Sequence, residues 1–147
     1  MASLITGDDI ISDVNPARVL VVGPPQILKL VQGALAGHGE FFRLDVCDGL
    51  QAALERVRAD DYDLALLALN LPDSWAADTY KRFLAEEPEN LPVLLLGTSA
   101  EARLAAQGVP SPPFAVLDPD DVDPLLLRRL ITSASLFRRA GGKRAGG

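Results

Sequence analysis

Two rhythms alternate along the chain. Short apolar runs at residues 18–22, 42–46, 64–69, 93–96 and 114–117 are bounded by Gly, Pro, Asp or Asn, the signature of buried strands. Between them, apolar residues recur at helical spacing. Ile27, Leu30, Val31 and Ala34 form one stripe, Leu50, Ala53, Leu54 and Val57 a second, and Ala76, Tyr80, Phe83 and Leu84 a third. An alanine-rich stretch over 99–107 predicts a short fourth helix. Asp123-Pro124, an N-cap followed by proline at the first helical position, opens a fifth, with Leu127, Leu130, Ile131, Ala134 and Phe137 on one face. Strands that are apolar along most of their length need cover on both faces, as in parallel sheets. Five of them alternating with helices predict an α/β fold: a flavodoxin-like (βα)5 doubly wound sheet of five parallel strands in the order 2-1-3-4-5.

This pattern divides the chain into an acidic leader over 1–16, expected to be flexible, a folded unit over 17–140, and a flexible, basic, glycine-rich tail over 141–147. With 147 residues, 48% hydrophobic and 23% charged, the composition fits one soluble core and not a disordered chain. The longest fully apolar run, 64–69, is strand length, and no basic start precedes an apolar segment at the N-terminus. No membrane span or signal peptide is expected. The cytoplasm is the expected compartment, and a single cysteine, Cys47, agrees with it.

Net charge is −6, which argues against nucleic acid as a partner of the folded unit, since duplex affinity comes largely from neutralising phosphates. The charge is uneven, because residues 128–147 hold six basic residues and no acid. Four of the six are assigned to the last part of the fifth helix, where cations favour the dipole.

Ligands in a doubly wound sheet bind beyond the carboxyl ends of the strands. The loops after Val22, Leu69, Leu96 and Leu117 are therefore where chemistry is sought. The first, Gly23-Pro24-Pro25, lacks two of the backbone donors that a phosphate cradle needs, and no glycine-rich nucleotide motif occurs anywhere. Thr98-Ser99-Ala100-Glu101 reads as a capping box. Asp73 is expected to cap the third helix. Asp118, Asp120, Asp121 and Asp123 lack the glycine and terminal glutamate of a calcium loop, so a solvated turn is expected. His38 and Cys47 fall at opposite ends of the sheet, and one of each makes no zinc site.

The ordered segments GALAGHGEFFRLDVCDGLQAAL, YDLALLALNLPD, LPVLLLGTSAE and FAVLDPDDVDPLLLRRLI resemble the receiver domain of bacterial response regulators, of the chemotaxis-regulator type, over about residues 17–139. That domain accepts a phosphoryl group from a histidine kinase. The piece Ala68-Leu69-Asn70-Leu71-Pro72 is similar to its phosphoacceptor motif of Asp, two residues, Leu or Met, then Pro. The resemblance places Gly23 and Pro24 where the family has a pair of acids and Ala68 where it has the phosphoacceptor. Gly97 stands for the Thr or Ser ending strand 4, and Asp118 for the lysine ending strand 5.

A methyl group offers phosphoryl transfer no oxygen nucleophile. Magnesium needs several hard oxygen ligands, which Gly23, Pro24 and Ala68 do not supply in their side chains. The expectation is a pseudo-receiver in a two-component or phosphorelay setting that is not an enzyme, holds no metal or cofactor, and acts by binding protein. Two alternatives are a degenerate pocket for a small ligand or anion, and a phosphoacceptor at Asp73 or Asp118.

Function then moves to surfaces. In receivers the switching and dimerising face is the fourth helix, fifth strand and fifth helix, so a homodimer through that face, a signalling protein or a downstream output domain is the expected partner. Candidate contact residues are Pro110, Pro112, Pro113 and Phe114, in a proline-fixed segment that loses little entropy on binding. Trp75, as an anchor, joins them, and so do Leu125 and Leu136, off the buried stripe of the fifth helix.

Overall fold

The computed structural model describes residues 16–86, 91–107, 109 and 113–138. The five apolar runs become β1 (Ala17–Val22), β2 (Phe42–Cys47), β3 (Leu64–Ala68), β4 (Val93–Leu96) and β5 (Ala115–Leu117). All pair in parallel, in the order β2-β1-β3-β4-β5. The helices are α1 (Pro25–Ala34), α2 (Leu50–Ala59), α3 (Ala76–Ala85), α4 (Ser99–Ala106) and α5 (Pro124–Phe137), with a 3-10 turn at Gly39–Phe41. Fold class and strand order are those expected from the hydrophobic pattern.

The burial follows the sheet order. β3 and β4, in the interior, are buried at every residue, while the edge strand β2 buries Phe42 and Cys47 and exposes Arg43 and Val46. Leu20, Leu64, Leu66, Leu67, Leu94 and Leu95 fill the centre, each contributing about 1.5–3 kcal/mol by leaving water. α1 presents Ile27, Val31 and Ala34 to this core, and α5 presents Leu127, Ile131 and Ala134. The chain leaves α1 through Gly37, whose φ of +84° lies in the left-handed region that glycine enters without a Cβ penalty. Asp123 caps α5 as expected, its Oδ2 accepting from the Leu126 N–H at 3.1 Å ahead of Pro124.

At the amino-terminal end of the sheet, Arg18 lies over the Tyr62 ring, 5.0 Å from its centroid. Its Nη2 reaches Asp45 Oδ2 at 3.2 Å, and Tyr62 Oη donates to the same oxygen at 2.8 Å. These contacts tie β1, β2 and the approach to β3 together.

Three expectations for α5 change. Phe137 is 52% exposed and leaves the buried stripe, its ring 6.2 Å from that of Phe114. Leu136 packs partly against the core instead, because Arg138 Nε donates to the Tyr62 carbonyl at 3.2 Å and draws the last turn toward β3. Arg128 and Arg129 lie in the first half of the helix, since it runs from Pro124 to Phe137, so they do not complement its C-terminal dipole. No helix among the described residues is long and apolar enough to cross a membrane.

Candidate functional site

Parallel register brings the strand ends side by side: Val22 pairs with Cys47 and Leu67, Ala68 with Leu96, and Leu96 with Leu117. Each ladder runs one residue further. The N–H of Gly23 donates to Cys47 O at 2.9 Å, that of Leu69 to Leu96 O at 3.0 Å, and that of Gly97 to Leu117 O at 2.9 Å. Gly23, Ala68, Gly97 and Asp118 therefore stand at the same end of the sheet.

That end is tightly filled. Ala68 is only 5% exposed. A Cβ on Gly23 would stand 3.0 Å from both the Ala68 methyl and Ile27 Cγ1, so hydrogen is the largest substituent that fits without movement. A Cβ on Gly97 would come within 2.9 Å of both Leu69 Cδ1 and Glu101 Oε1. The volume that a side chain at position 97 would need is thus taken by the Glu101 carboxylate.

Glu101 is held from three sides. Its Oε1 accepts the Thr98 N–H at 2.9 Å, and its own N–H donates to Thr98 Oγ1 at 3.1 Å, completing the expected capping box. Its Oε2 accepts from Asn70 Nδ2, a residue of the turn after β3.

Leu71 and Ser74 close the β3–α3 turn, with Leu71 N–H to Ser74 O at 2.9 Å and Ser74 N–H to Leu71 O at 3.2 Å. Inside it, the buried Thr79 donates its hydroxyl to the Leu69 carbonyl at 2.7 Å. Asp73 projects from the turn and corrects one expectation, because it does not cap the helix that follows. Trp75 holds that N-cap position, and Asp73 instead accepts the N–H groups of Leu50 at 2.7 Å and Gln51 at 3.0 Å, at the start of α2. The reason is local: the N-cap of α2 is Gly49, which has no side chain to offer, and a Cβ there would meet the Asp73 carboxylate at 3.1 Å. The hydrogen bonds from Gln51 and Leu50 hold the Asp73 carboxyl below the usual carboxylate range.

Asp118 is turned onto its own loop, its Oδ1 accepting the Asp120 N–H at 3.0 Å. Pro119 and Asp120 face Pro24, Gln26, Ile27, Lys29 and Leu30 across a mainly apolar groove of about 580 Å³.

Around Ala68 the side chains of Gly23 and Pro24 add no oxygen, and the carboxylates of Asp73 and Glu101 are each bound by two N–H donors. Among the described residues no three His, Cys, Asp or Glu side chains converge in a way that could hold a metal ion. These residues do not fit a hard divalent cation.

By sequence the chain matches no family model and no curated protein. By structure it is similar to the signal receiver domain of an HD domain-containing protein from Pseudomonas fluorescens Pf-5, with TM-score 0.73 and 18% identity over 97% of this chain and 98% of that one. A CheY-like response regulator receiver domain protein from Methanospirillum hungatei JF-1 superposes with TM-score 0.67 and 16% identity, covering 86% and 100% of the two chains. The fold is that of a receiver domain. A third such neighbour is the receiver domain of a sensor histidine kinase from Pseudomonas aeruginosa PAO1, crystallised with magnesium coordinated in its active-site cleft (TM-score 0.64, 17% identity, 82% and 98% covered). Identities this low establish a receiver fold and leave the chemistry to the side chains present.

The contact candidates separate. Trp75 is 59% exposed, Leu125 44% and Phe114 38%, Pro113 is partly buried, and Pro110 and Pro112 lie outside the described residues. Five further apolar side chains were not named from sequence as contact candidates: Val46, Leu104, Val116, Leu126 and Phe137, each at least 39% exposed. For Val116 a signal existed, since strand alternation on an edge leaves every second residue uncovered.

Proposed function

We propose that this chain is a pseudo-receiver, a cytoplasmic module of two-component or phosphorelay signalling that works by protein contact and without phosphorylation. The observation that carries it is the composition of the strand ends. Ala68 is buried at strand ends where Gly23, Pro24 and Gly97 offer neither nucleophile nor metal-binding side chain, and where Asp118 brings negative charge to the strand 5 end, which supports this reading. An incoming phosphoryl dianion would meet no cation from these five positions. Asp73 is a poor substitute nucleophile, because both of its oxygens already accept backbone N–H groups at the start of α2.

Part of the outward-facing surface is apolar. Phe114 just before the edge strand β5, in ring contact with Phe137 of α5, together with exposed Val116 on β5, Leu126 on α5 and Leu104 on α4, offers apolar side chains suited to a second copy or to a signalling partner. Incubation with magnesium and acetyl phosphate should leave the intact mass unchanged, and an acid-labile phosphoryl adduct at one per chain would sink the reading. Light scattering and pull-down with wild type and Val116→Lys read the contact surface. The wild type should self-associate or capture a signalling protein, and the variant should do neither while keeping its circular dichroism.

A second reading rests on the groove beside Pro24 and Pro119, whose volume falls in the range of small-ligand pockets. A thermal-shift panel of nucleotides, phosphate and metals distinguishes it from the first.

A further inference from the structure

Helix α4 packs closely along α3, and it does so through small side chains. Of its eight residues only Ala102 and Ala105 are buried, whereas α3 buries Ala76, Tyr80 and Phe83. Two methyl groups remove little area from water compared with a tyrosine and a phenylalanine. Polar contacts add to this packing in fixing where the N-terminus of α4 sits, and they converge on one side chain. Glu101 joins the N-terminus of α4, through the Thr98 N–H at 2.9 Å, to the β3–α3 turn, through Asn70 Nδ2. Asn70 and Glu101 lie 31 residues apart in the chain, and the Glu101 carboxylate fills the space beside Gly97, where a Cβ would stand 2.9 Å from its Oε1.

We infer that Glu101, Asn70 and Gly97 form a built-in latch that fixes α4 against the β3–α3 turn without any bound ligand. Glu101 is the positioning residue. Its carboxylate supplies the two acceptors, the missing side chain at Gly97 supplies the space, and Asn70 supplies the donor from the neighbouring strand end. The Asn70 contact is distinct from the capping box, which needs only Thr98 and Glu101 and would survive its loss. Because Leu104 rides on α4, the latch also sets where part of the exposed apolar surface lies, and that consequence rests on the contact reading above.

Amide hydrogen exchange on the full chain, read by mass spectrometry, tests the latch through a mutant cycle of Asn70→Ala, Glu101→Ala and the double variant. Asn70→Ala should accelerate exchange across α4 roughly fivefold in the wild-type background, the effect of one lost hydrogen bond. It should do nothing further in the Glu101→Ala background, where its partner is already gone. Peptides from β1 and β3 should be unaffected in all three variants, which shows that the sheet remains folded. Unchanged α4 exchange in Asn70→Ala, or equal acceleration in both backgrounds, overturns the latch. Exchange is measured on the free chain, so its failure is separable from failure of the contact reading, which the pull-down decides.

Discussion

Placing a carboxylate at position 68 should damage this protein and should not activate it. In Ala68→Asp the new side chain enters a site that is 5% exposed, beside the hydrogen-only gap at Gly23 and with no cation from Gly23, Pro24, Gly97 or Asp118 to pair it. An unpaired buried charge typically costs about 3–5 kcal/mol, a large part of the roughly 5–15 kcal/mol that holds a domain folded. Ala68→Asn is the control, since it has nearly the same shape and no charge, and its cost should stay near 1–3 kcal/mol, that of a buried polar group with imperfect partners. Burial without a partner raises the folded-state pKa of the new carboxyl above its unfolded value near 3.9. The sign follows: the variant is least impaired below that unfolded value and loses stability as pH rises through the folded one. Urea melts of wild type and both variants at several pH values, with and without magnesium, measure this. Equal stability of Ala68→Asp and Ala68→Asn at neutral pH would refute the reasoning. So would a magnesium-dependent gain confined to the aspartate, because it would show that oxygen ligands exist where none are seen.

Two further expectations concern groups away from position 68. Removing the borrowed cap in Asp73→Ala should cost about 1 kcal/mol and lower Tm by about 2–4 °C. Because the folded Asp73 pKa is depressed, that contribution is present above its unfolded value and fades as pH falls through the folded one, so melts at neutral and strongly acidic pH should converge between variant and wild type. The chain has two tyrosines, and both are pushed up to about 12, Tyr62 by burial and its hydrogen bond to Asp45 and Tyr80 by burial. Their folded values lie above the unfolded value near 10, so roughly 2–3 kcal/mol from each is intact below pH 10 and is lost as pH rises toward 12. Tyrosinate absorbance should therefore appear late and together with unfolding, and a titration centred near 10 in the folded chain would contradict the packing.

The hydrophobic rhythm of the chain was enough for the architecture because parallel strands buried on two faces leave no other reading for runs such as Leu64 to Ala68. Local chemistry was equally legible where donor and acceptor are close in sequence, as in the Thr98–Glu101 capping box and the Asp123 cap. What sequence missed joins residues far apart in the chain. Asp73 was assigned to its own helix, but the free N–H groups it satisfies belong to α2, 22 and 23 residues earlier, because Gly49 leaves them open. Asn70 and Glu101 meet only because β3 and β4 are neighbours in the sheet. Phe137 sat on the predicted stripe, yet the helix end is fixed by Arg138 on Tyr62, a contact across 76 residues that no periodicity encodes.

The departures from the receiver pattern at this end of the sheet are physically coupled. Gly23 admits no Cβ while Ala68 and Ile27 keep their places, so a larger residue at 68 crowds the first loop and a larger residue at 23 crowds position 68. Gly97 admits no Cβ while the Glu101 carboxylate bridges to Asn70. A side chain at 97 would press on the Glu101 carboxylate and on the end of Leu69. Close-packed interiors transmit such conflicts and do not absorb them. A larger residue at either 23 or 68 therefore meets a neighbour already fitted around the small one. Packing of this kind fits the proposed reading, in which the module acts through its surface and the strand ends serve as a fixed scaffold.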